Sequence, residues 1–153
     1  INGGVEDEAP RAYRGQEPYY FVSYAHLDHD TVYPLIRCLQ KRGFHIWFDE
    51  GIEPGKEWPE EIALHIMQSE SVLVMLSAQS INSPNVRREL SLALSDNKKI
   101  IVVTLDTQQP DETIVRDIAR KLKVSKASNI SVLQVDKDGN SVQDQRNWVA
   151  HLA

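Results

Sequence analysis

Cysteine is nearly absent from this chain: 153 residues contain one, Cys38. A single thiol excludes an internal disulfide and a cysteine-based zinc site, and it favours a reducing compartment. Long apolar runs are missing too. The longest, at residues 72–76 and 100–105, are strand-sized and far short of the ~20 residues of a membrane span. There is no surplus of positive charge. The net charge of −5 argues against broad attraction to nucleic acid or an anionic membrane. The familiar nucleotide and hydrolase fingerprints are also lacking. No GxGxxG follows a strand-like run, and neither GxxxxGK[ST] nor GxSxG occurs. The segment GKE at residues 55–57 lacks the first glycine and the hydroxyl of a phosphate loop. No methionine opens the chain, which begins at Ile1. The expectation is a piece trimmed from something longer, with no signal peptide in view.

What is present reads as one α/β domain. Hydrophobic residues at 41% and charged residues at 25% suit a single globular core rather than a disordered chain. Residues 1–17 are rich in glycine and charge and show no hydrophobic period. They read as a linker or tail, with Tyr13 pinned to the surface, and the domain occupies 18–153. Five strand-like runs follow: YYFVSY at 19–24, FHIWF at 44–48, SVLVML at 71–76, KIIVVTL at 99–105, and a shorter one at 130–135. Helical spacing separates them. Val32, Leu35, Ile36 and Leu39 lie on one face; so do Trp58, Ile62 and Ile66; so do Val86, Leu90, Ala93 and Leu94. Ile114, Ile118 and Leu122 mark a fourth helix, and residues 142–152 a last one. Asp28–Asp30 supply acidic N-cap candidates, and the start is set near Asp30 so that Pro34 falls in or near the first turn. Gly43 ends that helix. Residues 77–83 read as a polar loop, with Ser83-Pro84 opening the third helix.

Strands buried on both faces and alternating with helices predict a parallel sheet. The expected architecture is a flavodoxin-like three-layer fold, five parallel strands in the order 2-1-3-4-5 flanked by helices, with function beyond the carboxyl ends of the strands. Phe21, Ile46, Val74 and Val102 should form its centre. A receiver domain shares this strand order but needs acids after strand one and at the end of strand three. Ser23, Tyr24 and Ser77 stand there instead. His26 and His29 lie together in the first loop without a third ligand at a clear spacing, so no metal is expected.

Carboxylate chemistry remains. The loop at 49–57 carries Asp49, Glu50, Glu53 and Glu57, and Glu89 sits near the start of the third helix. At about 100° per residue, Glu89 lies roughly 85° from the centre of the core stripe, on the flank. The helix dipole stabilises a carboxylate there, whereas burial opposes its charge. A surface glutamate paired with a cation and a functional carboxylate on the cleft rim are both open. Leu92, about 145° from the stripe, reads as exposed beside Arg88, a possible assembly contact.

Three segments, FVSYAHLD, FHIWFDEGIEPGKEW and VLVMLSAQSINSPNVRREL, resemble the three boxes of a Toll/interleukin-1 receptor (TIR) domain in its bacterial form. The resemblance covers residues 18–106. Its most specific part is the DE-G-I-x-P-G-x-x-W pattern, similar to the family's BB loop at 49–57. The resemblance implies one of two activities: a non-catalytic module that associates with other TIR domains through the BB loop, or an enzyme that cleaves NAD at the nicotinamide–ribose bond. A nucleotide-binding domain that does not assemble is a third reading. In the enzymatic case Glu89 takes the place of the family's catalytic glutamate. Ser23, Tyr24, Phe48, Glu53, Trp58, Ser83 and Arg87 are then the candidate NAD-binding residues, with Arg87 the phosphate contact. Asn85 stands where many enzymatic members carry Trp. The resemblance further implies a homo-oligomer or filament, an effector or sensor domain in the full-length protein, a role in bacterial immunity, a cytoplasmic location, and NAD as substrate without a metal.

Overall fold

Strands without a polar face must be covered on both sides, and the chain does this with crossover helices. A computed structural model describes residues 9–50, 60–105, 116, 120 and 130–132. Five strands, β1 (Tyr20–Ser23), β2 (Ile46–Phe48), β3 (Ser71–Leu76), β4 (Lys99–Thr104) and β5 (Ile130–Val132), form one sheet in the order β2-β1-β3-β4-β5. Every neighbouring pair is parallel. This is the flavodoxin-like order expected from the sequence. Phe21, Ile46, Val74 and Val102 are fully buried at its centre.

The helices are α1 (His29–Lys41), α2 (Glu60–Gln68), the single-turn α3 (Ala78–Ile81) and α4 (Pro84–Ser95). Alternation along β2 shows how they divide between the faces. Trp47 stacks on His65 of α2 at 3.9 Å, while Phe48 meets Tyr33 of α1 at 5.8 Å. So α1 covers one face, and α2, which packs against α4, covers the other. This division is what right-handed crossovers require for this strand order.

Local signals explain most boundaries. Gly43 adopts φ +94° just past α1. Its N–H donates to the Gln40 carbonyl at 3.0 Å, and the Phe44 N–H to the Leu39 carbonyl at 3.1 Å, the paired bonds of a Schellman stop. Ser83 Oγ accepts from the Val86 N–H at 3.3 Å and so caps α4, with Pro84 in its first turn.

Three readings need correction. Pro34 lies inside α1 rather than in its first turn. The helix starts at His29, within one residue of the expected start, and runs on through the proline in its second turn. The polar stretch at 77–83 is not all loop: Ser77 and Ser80 form a reciprocal capping box around α3. Leu92 is partly buried against the core. Because α4 packs on α2 as well as on the sheet, its covered surface is wider than one stripe.

Residues 9–17 run along the outer edge of β2. The Tyr13 N–H donates to the Ile46 carbonyl at 2.8 Å, the Ala12 N–H to Glu50 Oε1 at 2.9 Å, and Gln40 Nε2 to the Arg11 carbonyl at 2.8 Å. Tyr13 is pinned by stacking on His45 at 4.0 Å. Gly15 lies so close beneath that ring that a Cβ would fall 2.1 Å from the Tyr13 hydroxyl. The segment thereby blunts a sheet edge that would otherwise be open to another chain.

Arg116 and Arg120 are helical. The rest of the helix expected at 111–124, the turn at 137–141, the helix at 142–152 and most of the BB loop lie outside the described residues. Among the described residues no helix is long and apolar enough to cross a membrane.

Burial sets a first test. Leu73 is fully buried in β3, and Leu64 on α2 is 50% exposed. Leu73→Ala should lower the unfolding free energy by about 2–5 kcal/mol, and Leu64→Ala by less than about 0.5 kcal/mol. Urea unfolding of the two variants checks this.

Candidate functional site

In this strand order the chain leaves β1 toward one side of the sheet and leaves β3 toward the other. The carboxyl ends of β1 and β3 therefore open a crevice at the point where the order reverses. The two diverging loops are tied across it: Ser77 Oγ, after β3, donates to Asp28 Oδ2, after β1. Beside this tie lies a pocket of about 200 Å³ lined by Val22, Tyr24, His26, Asp49, Ser83, Asn85 and Glu89.

Glu89 is only 5% exposed. Its place follows from two periodicities. It stands one turn into α4, which starts at the pocket because Ser83 and Pro84 set the helix there. Opposite, alternation at the end of β1 turns Ser23 and Tyr24 to different sides. Ser23, fully buried, donates from Oγ to Glu89 Oε1 at 2.7 Å. That short bond gives a buried carboxylate the partner it needs.

Tyr24 turns toward α1. Its hydroxyl donates to the Asp49 carbonyl at 2.8 Å, which commits its one hydrogen. Tyr33, 3.3 Å away, is therefore the donor to Tyr24. Burial above all, with Tyr33 and nearby carboxylates adding, pushes the Tyr24 hydroxyl far above the ordinary tyrosine range. It stays protonated and acts as a fixed wall and strut.

His26 and Asp49 close the pocket mouth. His26 Nε2 lies 3.5 Å from Asp49 Oδ2, and the imidazole stacks on the Tyr24 ring at 5.0 Å. The Asp49 partner holds the His26 pKa above its ordinary value, against the opposing effect of burial. Glu89 adds a smaller pull in the same direction.

Of the residues singled out from the sequence, Glu89, Ser23, Tyr24 and Ser83 come together here. Phe48 is buried beneath Tyr24, with ring centroids 6.3 Å apart, and supports the wall without lining the pocket. Arg87 is exposed on α4 and is not part of this lining. Glu53 and Trp58 lie outside the described residues. Sequence reasoning gave no role to the His26–Asp49 pair. The available signal was their position: each falls within three residues of the end of a predicted strand, β1 or β2, on the side where function was expected. Among the described residues no three His, Cys, Asp or Glu side chains gather as a metal site.

The raised pKa has a measurable consequence. The pair's contribution to stability is complete below about pH 6.5, the ordinary histidine value, and is lost as pH rises through the higher folded-state value. NMR titration of the His26 ring should give a midpoint above that of a free histidine. In Asp49→Asn the largest upward pull is gone while burial remains, so the midpoint should fall.

Comparison with known proteins agrees with this architecture. No curated protein matches the chain. A solved structure does: the TIR domains of the activated Roq1 resistosome directly recognizing the pathogen effector XopQ. The match has a TM-score of 0.51 and 18% identity, and covers 89% of this chain and 79% of that one. At that identity it speaks for the fold alone. The family model described as TIR domain matches residues 21–129. That span holds all but the first residue of β1, β2 through β4, the pocket and Glu89, and the chain therefore belongs to the TIR domain family.

Proposed function

We propose that this domain cleaves NAD at the nicotinamide–ribose bond, with Glu89 as the catalytic group. The observation that carries the reading is the burial of Glu89 at the crevice, held by Ser23 at 2.7 Å. Bond cleavage builds positive charge on the ribose C1′ and ring oxygen. A fixed carboxylate in a partly dry pocket stabilises that charge without reorganising. The electron pair of the C1′–N bond goes to nicotinamide, whose ring is already cationic and leaves neutral. No strong general acid is required. Water then attacks C1′ and loses a proton, giving ADP-ribose; attack by the substrate's own base gives a cyclic isomer. Tyr24 offers a ring that two hydroxyl contacts hold in place, and Ser83 and Asn85 offer polar groups at the start of α4.

Size supports a role for assembly. A pocket of about 200 Å³ is below the roughly 300–1,000 Å³ of sites that enclose a whole small molecule. It takes one end of a dinucleotide, and a neighbouring TIR domain would supply the remaining surface. Leu27, next to His26 and 79% exposed, is an apolar contact placed for such a neighbour. The structural relative is itself part of an assembled resistosome. The setting we propose is intracellular immunity of the bacterial type, with Arg87, the BB-loop residue Glu53 and Trp58 just after that loop engaged once NAD and a neighbour are present.

One feature favours a second reading. Asn85 lines the pocket at the position where an aromatic ring would pack on nicotinamide. A TIR domain without that ring is suited to act as an interaction module.

The test is nicotinamide release from NAD, followed by chromatography at protein concentrations that span self-association. The wild type should turn over when assembled. Glu89→Gln keeps the size and removes the charge, so release should fall by about 10²–10³ with the fold intact by circular dichroism. Unchanged turnover in Glu89→Gln would refute the assignment of Glu89. No turnover by the wild type at any concentration would leave the interaction module.

A further inference from the structure

The pocket is ordered by depth and by charge. Glu89 lies deep, at 5% exposure, with its carboxylate fixed by Ser23. His26 lies at the mouth, with its side chain 43% exposed. Asp49 Oδ2 lies 3.5 Å from its Nε2. Among the described residues Nδ1 has no hydrogen-bond partner, and it is the ring nitrogen left for a ligand. The groups that face the ring from each packed element are Tyr24 just past β1, Asp49 just past β2 and Glu89 from α4. The next charged neighbours along the chain are engaged elsewhere: Asp28 with Ser77, and His29 with Asp30. Among the described residues His26 is thus the only basic side chain in the pocket lining, and it is held at the open end.

A nucleotide that enters such a pocket is sorted by its own charges. Its cationic ring and ribose suit the carboxylate end, and the phosphate that follows the ribose must then leave through the mouth. We propose that His26 is the phosphate-recognition residue of this pocket, donating from its protonated imidazole to the phosphate beside the ribose, so that nucleotide binding depends on pH. This deepens the reading of the site as one for NAD and rests on it. Asp49 has a positioning role: it keeps the ring charged and fixes its tilt against Tyr24. The sign follows from the protonated form. Binding is strong below the raised folded-state pKa of His26 and weakens as pH rises through it.

The experiment is an NMR titration of the whole chain with ADP-ribose, which carries the diphosphate and needs no turnover, at pH 6 and pH 9. Nicotinamide riboside, which has no phosphate, is the comparison. Wild type should bind ADP-ribose about tenfold or more tightly at pH 6 than at pH 9, the scale of one charge-assisted hydrogen bond. Its affinity for the riboside should differ by less than about twofold, because no phosphate meets the ring. His26→Gln should bind ADP-ribose weakly at both pH values, and His26→Arg tightly at both. Rescue by the permanent cation separates recognition from a structural role. Equal affinity of wild type and His26→Gln for ADP-ribose, an affinity independent of pH, or no binding at all would each overturn the proposal. Nicotinamide release from NAD is measured on the same samples. Release together with unchanged binding in His26→Gln sinks this inference and spares the cleavage reading. Binding that depends on His26 without release does the reverse.

Discussion

A carboxylate removed from water must be compensated, and the crevice at the carboxyl ends of β1 and β3 is built around that requirement. Glu89 is buried in the crevice, and the Ser23 hydroxyl is directed at it from the neighbouring strand. An isolated buried charge costs several kcal/mol, so a sequence that needs only a stable fold has no reason to put a glutamate there. An apolar side chain at that point of α4 would pack at less cost. The charge is held where the fold pays for it, and this links the packing of α4 to the chemistry proposed for the pocket.

The rest of the crevice keeps that geometry. The Ser77–Asp28 bond ties the loops that leave β1 and β3 in opposite directions. The Tyr33–Tyr24–Asp49 chain of contacts fixes the opposite wall to α1 and to the end of β2. Because Ser23 ends β1 and Tyr24 follows it directly, Tyr24 serves the wall and Ser23 the carboxylate. A shift of β1 by one residue would exchange their directions and dismantle both. Glu50, next to Asp49, accepts from the Ala12 N–H, so the segment at 9–17 is connected to the pocket through two adjacent residues.

The sheet was legible because its strands are apolar on both faces and its helices carry single stripes. Period and length gave the alternation of strands and helices, and the strand order followed from right-handed crossovers and the common flavodoxin-like solution for five such units. The boundaries of α1 and α4 followed from Gly43 and from Ser83-Pro84, residues with one dominant local role. Pro34 misled because proline marks a preference for the first turn, and the tertiary packing of Val32, Leu35, Ile36 and Leu39 overrides it. The serines at 77 and 80 read as loop because a capping box and a polar loop share the same composition. At the site, helical periodicity brought Glu89 to a flank but could not reveal its partner. Ser23 is 66 positions away, and the contact depends on strand pairing. The position of His26 and Asp49 just past two strands was legible, but their pairing was not, since each residue alone reads as a solvated loop group.

The central claim is that Glu89 meets the nicotinamide ribose in this pocket. Its most direct test is a crystal structure of the assembled domain with a carbocyclic NAD analogue that cannot be cleaved. The account predicts the nicotinamide end between Tyr24 and Asn85, with a Glu89 oxygen within hydrogen-bond distance of a ribose hydroxyl. An analogue seated elsewhere, or a pocket left empty at saturating analogue, would contradict it.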